Sequence, residues 1–209
     1  MPTTKKKTSK KPKGSSKGYP FEREVCKKLS LWWTNGKRDD VFWRTSGSGA
    51  RATSRTKKKQ ETFGQYGDVQ ATDPIGQPLI DAFTIEIKRG CNKATASNLL
   101  DSSARMSEQQ FLSFVAQATR SCMEAGSWAW AIIHKRDQRE ILITLPYRAT
   151  GIIENLETSY LLLNIQKKKE HKNHRRSLIV VQMLFNDFLL STTPERIKNN
   201  EKYRYDRAC

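Results

Sequence analysis

Residues 83–90, "FTIEIKRG", constrain the chain more tightly than any other stretch. Phe83, Ile85 and Ile87 alternate with Thr84, Glu86 and Lys88. A period of two assigns each set to its own side of a β-strand, so the chain must build a sheet with an apolar face and a charged one here. A solvated face is the plain account of Glu86 and Lys88. The carboxylate upstream at Asp68 gives a second account.

Asp68 lies in "DVQAT", another short strand, and "DPIGQPLID" between the two is rich in turn residues. If the two strands form a hairpin centred on Gln77, Asp68 faces Glu86, and Lys88 shares their side. Opposed acids destabilise a strand pair unless a cation bridges them. Two hard carboxylates beside backbone carbonyls suit Mg²⁺, which keeps positions open for water and phosphate oxygens. Such an ion lowers the pKa of a bound water and stabilises charge on a phosphodiester. Lys88 would hold that water or neutralise developing charge.

The rest of the chain supplies a partner of matching charge. Its 209 residues carry a net charge of +17, which favours a polyanion, nucleic acid before an anionic membrane. No apolar run reaches the ~18 residues of a membrane span, and the basic N-terminus leads into no secretion signal. Cys26, Cys91, Cys122 and Cys209 are scattered and read as reduced thiols of a cytoplasmic protein. His171 and His174 lack cysteine partners at zinc spacing.

Residues 1–18 hold seven lysines and no acid, and read as a disordered basic tail. A core domain over 19–146 follows, and then a C-terminal α/β extension over 147–209. The core begins with a helix from Pro20 to about Trp33, whose apolar face is Phe21, Val25, Leu29 and Trp32. "VFWR" (41–44) is a strand. The basic stretch 50–66 has no periodicity and reads as a functional loop. Its Arg51, Arg55, Lys57, Lys58 and Lys59 are candidate DNA contacts. A helix capped by Ser107 and Gln110 runs to Gly126, and "WAWAIIHK" and "EILITLP" form two strands about "RDQR". Beyond Pro146 the pattern suggests a helix near 151–165, a basic linker over 166–176 and an edge strand in "LIVVQMLF". Trp32, Trp33 and Trp43 read as core residues.

Asp68 followed by Glu86-Ile87-Lys88 resembles the PD-(D/E)xK nuclease core, with Gly67 where that pattern often has proline. The N-terminal part is similar to archaeal-type Holliday-junction resolvases and related phage nucleases. It has Glu22-Arg23 on the first helix, Arg44 ending a strand, Gly47 and Ser48 in a turn, then the Asp and the Glu-x-Lys, in that order. The resemblance implies a restriction-endonuclease-like mixed sheet flanked by helices, and an Mg²⁺-dependent endodeoxyribonuclease in which Mn²⁺ can substitute. Its metal ligands would be Asp68, Glu86 and the Ile87 carbonyl, with Glu22 acting through water. Arg44 and Ser48 would lie near the scissile phosphate with Arg23 among the DNA contacts, and Gln117 would match a glutamine on the helix after Glu-x-Lys. Branched DNA and a homodimer are the implied partners. For Glu22 a second account stays open: a helix N-terminus favours an acid through its macrodipole.

The lysine tail has no apolar partners, so its contribution to binding is electrostatic. Each phosphate it neutralises contributes about −0.9 to the slope of log K against log salt on duplex DNA. Deleting residues 1–17 should flatten that slope by a few units in a salt titration on one labelled DNA. An unchanged slope would assign the tail to solubility alone.

Overall fold

The computed structural model describes residues 14–45, 66–92, 95, 105–154, 160–167 and 176–199. Its helix α1 (Gly14–Trp33) starts upstream of the expected Pro20, which sits inside it. Proline's fixed φ is already helical, so the helix continues through it at the loss of one backbone donor. Strands β1 (Phe42–Arg44) and β2 (Val69–Ala71) pair antiparallel, with Arg44 opposite Val69.

The expected hairpin between β2 and β3 (Phe83–Arg89) does not form, because the intervening residues fold as helical turns. Asp73 accepts from the Ile75 N–H at 3.0 Å and so caps a short 3₁₀ turn, Pro74–Gly76. Helix α2 (Gln77–Ala82) follows with Pro78 in its first turn and buries Leu79 and Ala82. Turn-forming residues thus act here as helix starters. The Trp33 indole donates to the Ile75 carbonyl at 2.7 Å and ties this segment to α1.

Helix α3 (Arg105–Ala125) also begins before its expected cap, leaving Ser107 within the helix, and it ends at Gly126 with φ +70°. Strands β4 (Ala129–Lys135) and β5 (Ile141–Pro146) fall where their apolar patterns put them. After Pro146 the outcome differs. A 3₁₀ turn (Tyr147–Ile152) leads to β6 (Tyr160–Lys167), so the helix expected over 151–165 is replaced by a turn and a strand. Strand β7 (Arg176–Leu184) holds the "LIVVQMLF" segment and is interior rather than an edge. Its continuous apolar run fits that place, since an interior strand is covered on both faces. Helices α4 (Phe185–Ser191) and α5 (Pro194–Lys198) complete the described chain.

The five-stranded sheet has the order β3-β4-β5-β7-β6, with β3 and β4 parallel and the other pairs antiparallel. On one face α1 packs Phe21, Val25 and Leu29 against Ile85, Ile87, Ala131 and Ile133. Phe185, Phe188 and Ile197 of α4 and α5 join that same core. On the other face α3 packs Phe111, Val115 and Ala118 against Trp130, Ile132 and Val180. This is a mixed sheet flanked by helices, the restriction-endonuclease-like arrangement. No described helix is long and apolar enough to cross a membrane. Of the four cysteines expected as thiols, Cys26 and Cys91 are free, whereas Cys122 is disulfide-bonded.

Two consequences follow for β3. Its charged face is not solvated, because α3 covers it: Thr84 and Glu86 are each 3% exposed. Its outer edge is occupied by Asp68, whose N–H donates to the Ile85 carbonyl at 2.7 Å. Gly67 makes that approach possible. Its φ is +74°, and a Cβ there would stand 2.7 Å from the Ile85 carbonyl oxygen. Proline, frequent at this place in the motif, cannot adopt that φ. Gly67→Ala combines left-handed strain with a clash against backbone, and should destabilise the fold by about 2–4 kcal/mol. A thermal or urea melt checks this; an unchanged midpoint would show that the close approach is dispensable.

Candidate active site

The site is assembled at the β3 edge of the sheet, where β3, α1, β1 and α3 meet. Asp68 is held from three directions. Besides its bond to Ile85, its carbonyl accepts from the Thr45 N–H at 3.0 Å, and its carboxylate Oδ2 accepts from the Ile87 N–H at 2.7 Å. The Thr45 hydroxyl bonds the Gly67 carbonyl at 2.7 Å and fixes the preceding residue as well. The side chain therefore has one bonded oxygen, while Oδ1 has no hydrogen-bond partner among the described residues.

Glu86 points to the α3 face. Its Oε2 accepts from Lys88 Nζ at 2.9 Å and from Gln117 Nε2 at 2.8 Å, and its Oε1 accepts from the Ser121 hydroxyl at 3.1 Å. Gln117 and Ser121 stand one turn apart on α3, so one helix face clamps both oxygens. Burial pushes the Glu86 carboxyl above its ordinary value, and the negative charge of Asp68 pushes it further. Lys88 and Ser121 oppose that shift only in part. Lys88 feels the reverse balance. Burial alone would lower its pKa, but the charges of Glu86 and Asp68 raise it overall, so it stays an ammonium at neutral pH. The Phe114 ring, 5.7 Å from Nζ, forms a wall of its pocket.

Glu22 takes a different partner. It is 9% exposed and accepts from Arg44 Nε at 2.8 Å. The guanidinium of Arg44 also lies over the Tyr19 ring, 4.1 Å from its centre. Because α1 begins at Gly14, Glu22 lies beyond the first turn, where the macrodipole has little effect; that account of the residue falls away. Glu22 and Asp68 both border the buried Cys26, whose thiol is pushed up to about 12 by burial first and then by these two charges. Glu24, the neighbouring acid, instead pairs with Lys135 at 3.7 Å.

The structure thus brings Asp68, Glu86, Lys88 and Gln117 together, with Glu22, Arg44 and Arg23 along the adjoining edge of α1 and β1. Ser48, Arg51, Arg55, Lys57, Lys58 and Lys59 lie outside the described residues. Among the described residues no three acidic, histidine or cysteine side chains group to hold a metal. A cation would have Asp68 and Glu86, whose mutual repulsion it would relieve. The Ile87 carbonyl would be a third donor: N–H and C=O of one strand residue point the same way, and the Ile87 N–H meets Asp68. The donor set suits a hard, partly hydrated divalent ion.

Ser121 and Phe114 were missed in reading the sequence. Ser121 carries one legible signal, its spacing of four from Gln117 on an amphipathic helix. Trp33 is core, and Trp32 packs against that core, as expected. Trp43 is 46% exposed instead, since alternation along β1 turns Phe42 inward and Trp43 outward.

A family described as "Phage putative PDDEXK endonuclease" matches residues 13–199 of the chain. That span includes the segment after Pro146, which lies beyond the resolvase-like motifs. No curated protein and no solved structure gives a match.

A folded-state pKa raised above the unfolded value gives stability that is complete below the unfolded value and is lost as pH rises through the folded one. For Glu86 the loss begins above its ordinary value of 4.5. In chelator, the melting temperature of the wild type relative to Glu86→Gln should therefore fall as pH rises from about 4.5 toward neutrality. A difference independent of pH would mean that Glu86 is not held at an energetic disadvantage.

Proposed function

The chain belongs to this family of phage PD-(D/E)xK endonucleases, and from that premise we propose that it hydrolyses phosphodiester bonds of branched DNA with Mg²⁺ at Asp68, Glu86 and Lys88. Nucleases of this kind use divalent metals generally. When bound, the ion supplies Lewis acidity and a coordinated water of lowered pKa. Mn²⁺ would substitute, since the donors are all oxygen.

The observation that carries the reading is the buried pair of acids, Asp68 and Glu86, with the Lys88 ammonium bonded to Glu86 at the β3 edge of the sheet. Asp68 and Glu86 hold the cation, and the Ile87 carbonyl adds a neutral donor. Gln117 and Ser121 hold the Glu86 carboxylate in one orientation, from which it would serve as a ligand. Lys88 remains charged, which suits neutralising the phosphate rather than abstracting a proton. Glu22 contributes through water, and Arg44 and Arg23 meet the DNA backbone beside it. The basic residues 51–59 extend that contact. Two copies acting as a homodimer would cut two strands of one junction.

Asp68→Asn and Glu86→Gln should each abolish cleavage while DNA affinity stays within a few-fold, because both act through the metal. Lys88→Ala should reduce cleavage severely with little change in Mg²⁺ affinity. Wild-type turnover by either acid variant would remove the assignment. A four-way junction should be cut in preference to linear duplex of equal length in one competition reaction. Equal rates would support a general nuclease on the same core, and binding without cutting would support an accessory role in recombination or packaging.

A further inference from the structure

Two large aromatic rings stand half exposed beside the carboxylate site, each with an arginine against it. Tyr19 is 51% exposed with the Arg44 guanidinium 4.1 Å from its ring centre, and Trp43 is 46% exposed with that of Arg23 at 5.9 Å. Tyr19 and Arg23 are one turn apart on α1, and Glu22 lies between them in sequence. Both rings therefore border one short stretch of helix. That stretch is the rim of the site, because Arg44 bonds Glu22 there.

Rings of this size usually bury most of their surface; Trp33, Trp128 and Trp130 do so at 5% exposure or less, while Tyr147 and Tyr160 are half exposed as well but have no arginine against them among the described residues. Trp43 sits on a three-residue strand whose preceding residue, Phe42, is completely buried. The outward indole adds nothing to the core. An exposed π-face next to a guanidinium is complementary to a nucleotide, with the ring meeting a base and the cation its phosphate. Paired bases inside a duplex have no free face, so only unpaired nucleotides can use such a surface.

We infer that Tyr19 and Trp43, each flanked by an arginine, form a stacking platform for unpaired bases of the DNA strand that enters the carboxylate site. The inference rests on the nuclease reading above and adds the feature that selects the substrate. A base stacked on either ring anchors its strand next to Glu22, and the adjoining phosphodiester then lies toward Asp68 and Glu86. Forked DNA with a single-stranded arm presents such nucleotides, and the paired interior of a blunt duplex does not.

The test is fluorescence anisotropy with full-length protein in chelator, comparing a forked duplex that has a single-stranded arm with a blunt duplex of equal length. Wild type should prefer the fork. Trp43→Ala and Tyr19→Ala should each weaken fork binding by about 5- to 100-fold and blunt binding by less than about 2-fold. Trp43→Phe should retain most of the fork affinity, because it keeps a ring; this variant and a melting curve separate stacking from misfolding. Equal losses on both DNAs, or no loss on the fork, would overturn the platform. So would a wild-type dimer that Trp43→Ala converts to monomer with the fork preference unchanged, which would assign the ring to a protein interface. Metal-free binding is independent of catalysis, so absence of cleavage by the wild type with Mg²⁺ on either DNA would remove the nuclease reading and leave the fork preference to stand or fall by itself.

Discussion

The main-chain and side-chain bonds of Asp68 to the outer edge of β3 are the constraint on which the site depends. Ile85 and Ile87 have no neighbouring strand on that side, and Asp68 takes the place of one, donating to the first and accepting from the second. An exposed strand edge is a liability; here it is covered by Asp68. Gly67 permits this because only a residue without a side chain can come so close to the Ile85 carbonyl. The same contact sends β2 away to pair with β1, and β1 in turn brings Arg44 to Glu22.

The second feature is a carboxylate on Glu86 that burial under α3 disfavours and the nearby Asp68 disfavours further. Three donors, Lys88, Gln117 and Ser121, hold it, yet burial and the Asp68 charge still raise its pKa. Lys88 opposes that rise only in part. The charge of Asp68 adds to the cost of ionising Glu86, and a cation bound between two such acids would relieve it.

Much of this was legible from local pattern. The apolar alternation of β3, the strands at 129–135 and 141–146, and the glycine stop at Gly126 are short-range signals, and all lie where the pattern put them. The Glu86–Lys88 pairing follows from a spacing of two along one strand. Other features depended on partners far away in sequence. "DPIGQPLID" carries turn residues that serve a hairpin or a helix start equally well, and contacts from Trp33, Val41 and Phe42 favoured the helix. Beyond Pro146, Leu161, Leu162 and Leu163 fit a helix or a strand, and pairing with β7 decided for the strand.

The sequence by itself determined the chemistry on offer: a basic chain, a strand with Glu86 and Lys88 on one face, and an acid at Asp68 after a glycine. Composition and short-range periodicity need no knowledge of the fold. Tertiary structure alone decided that α3 buries the charged face of β3, that Ser121 and Gln117 seize Glu86, that Glu22 is tied to Arg44, and that Trp43 turns outward. The physical reason is the same in each case. Burial and hydrogen bonding between residues distant in sequence depend on how whole elements pack, and a local pattern carries no record of which helix will lie over which face of the sheet.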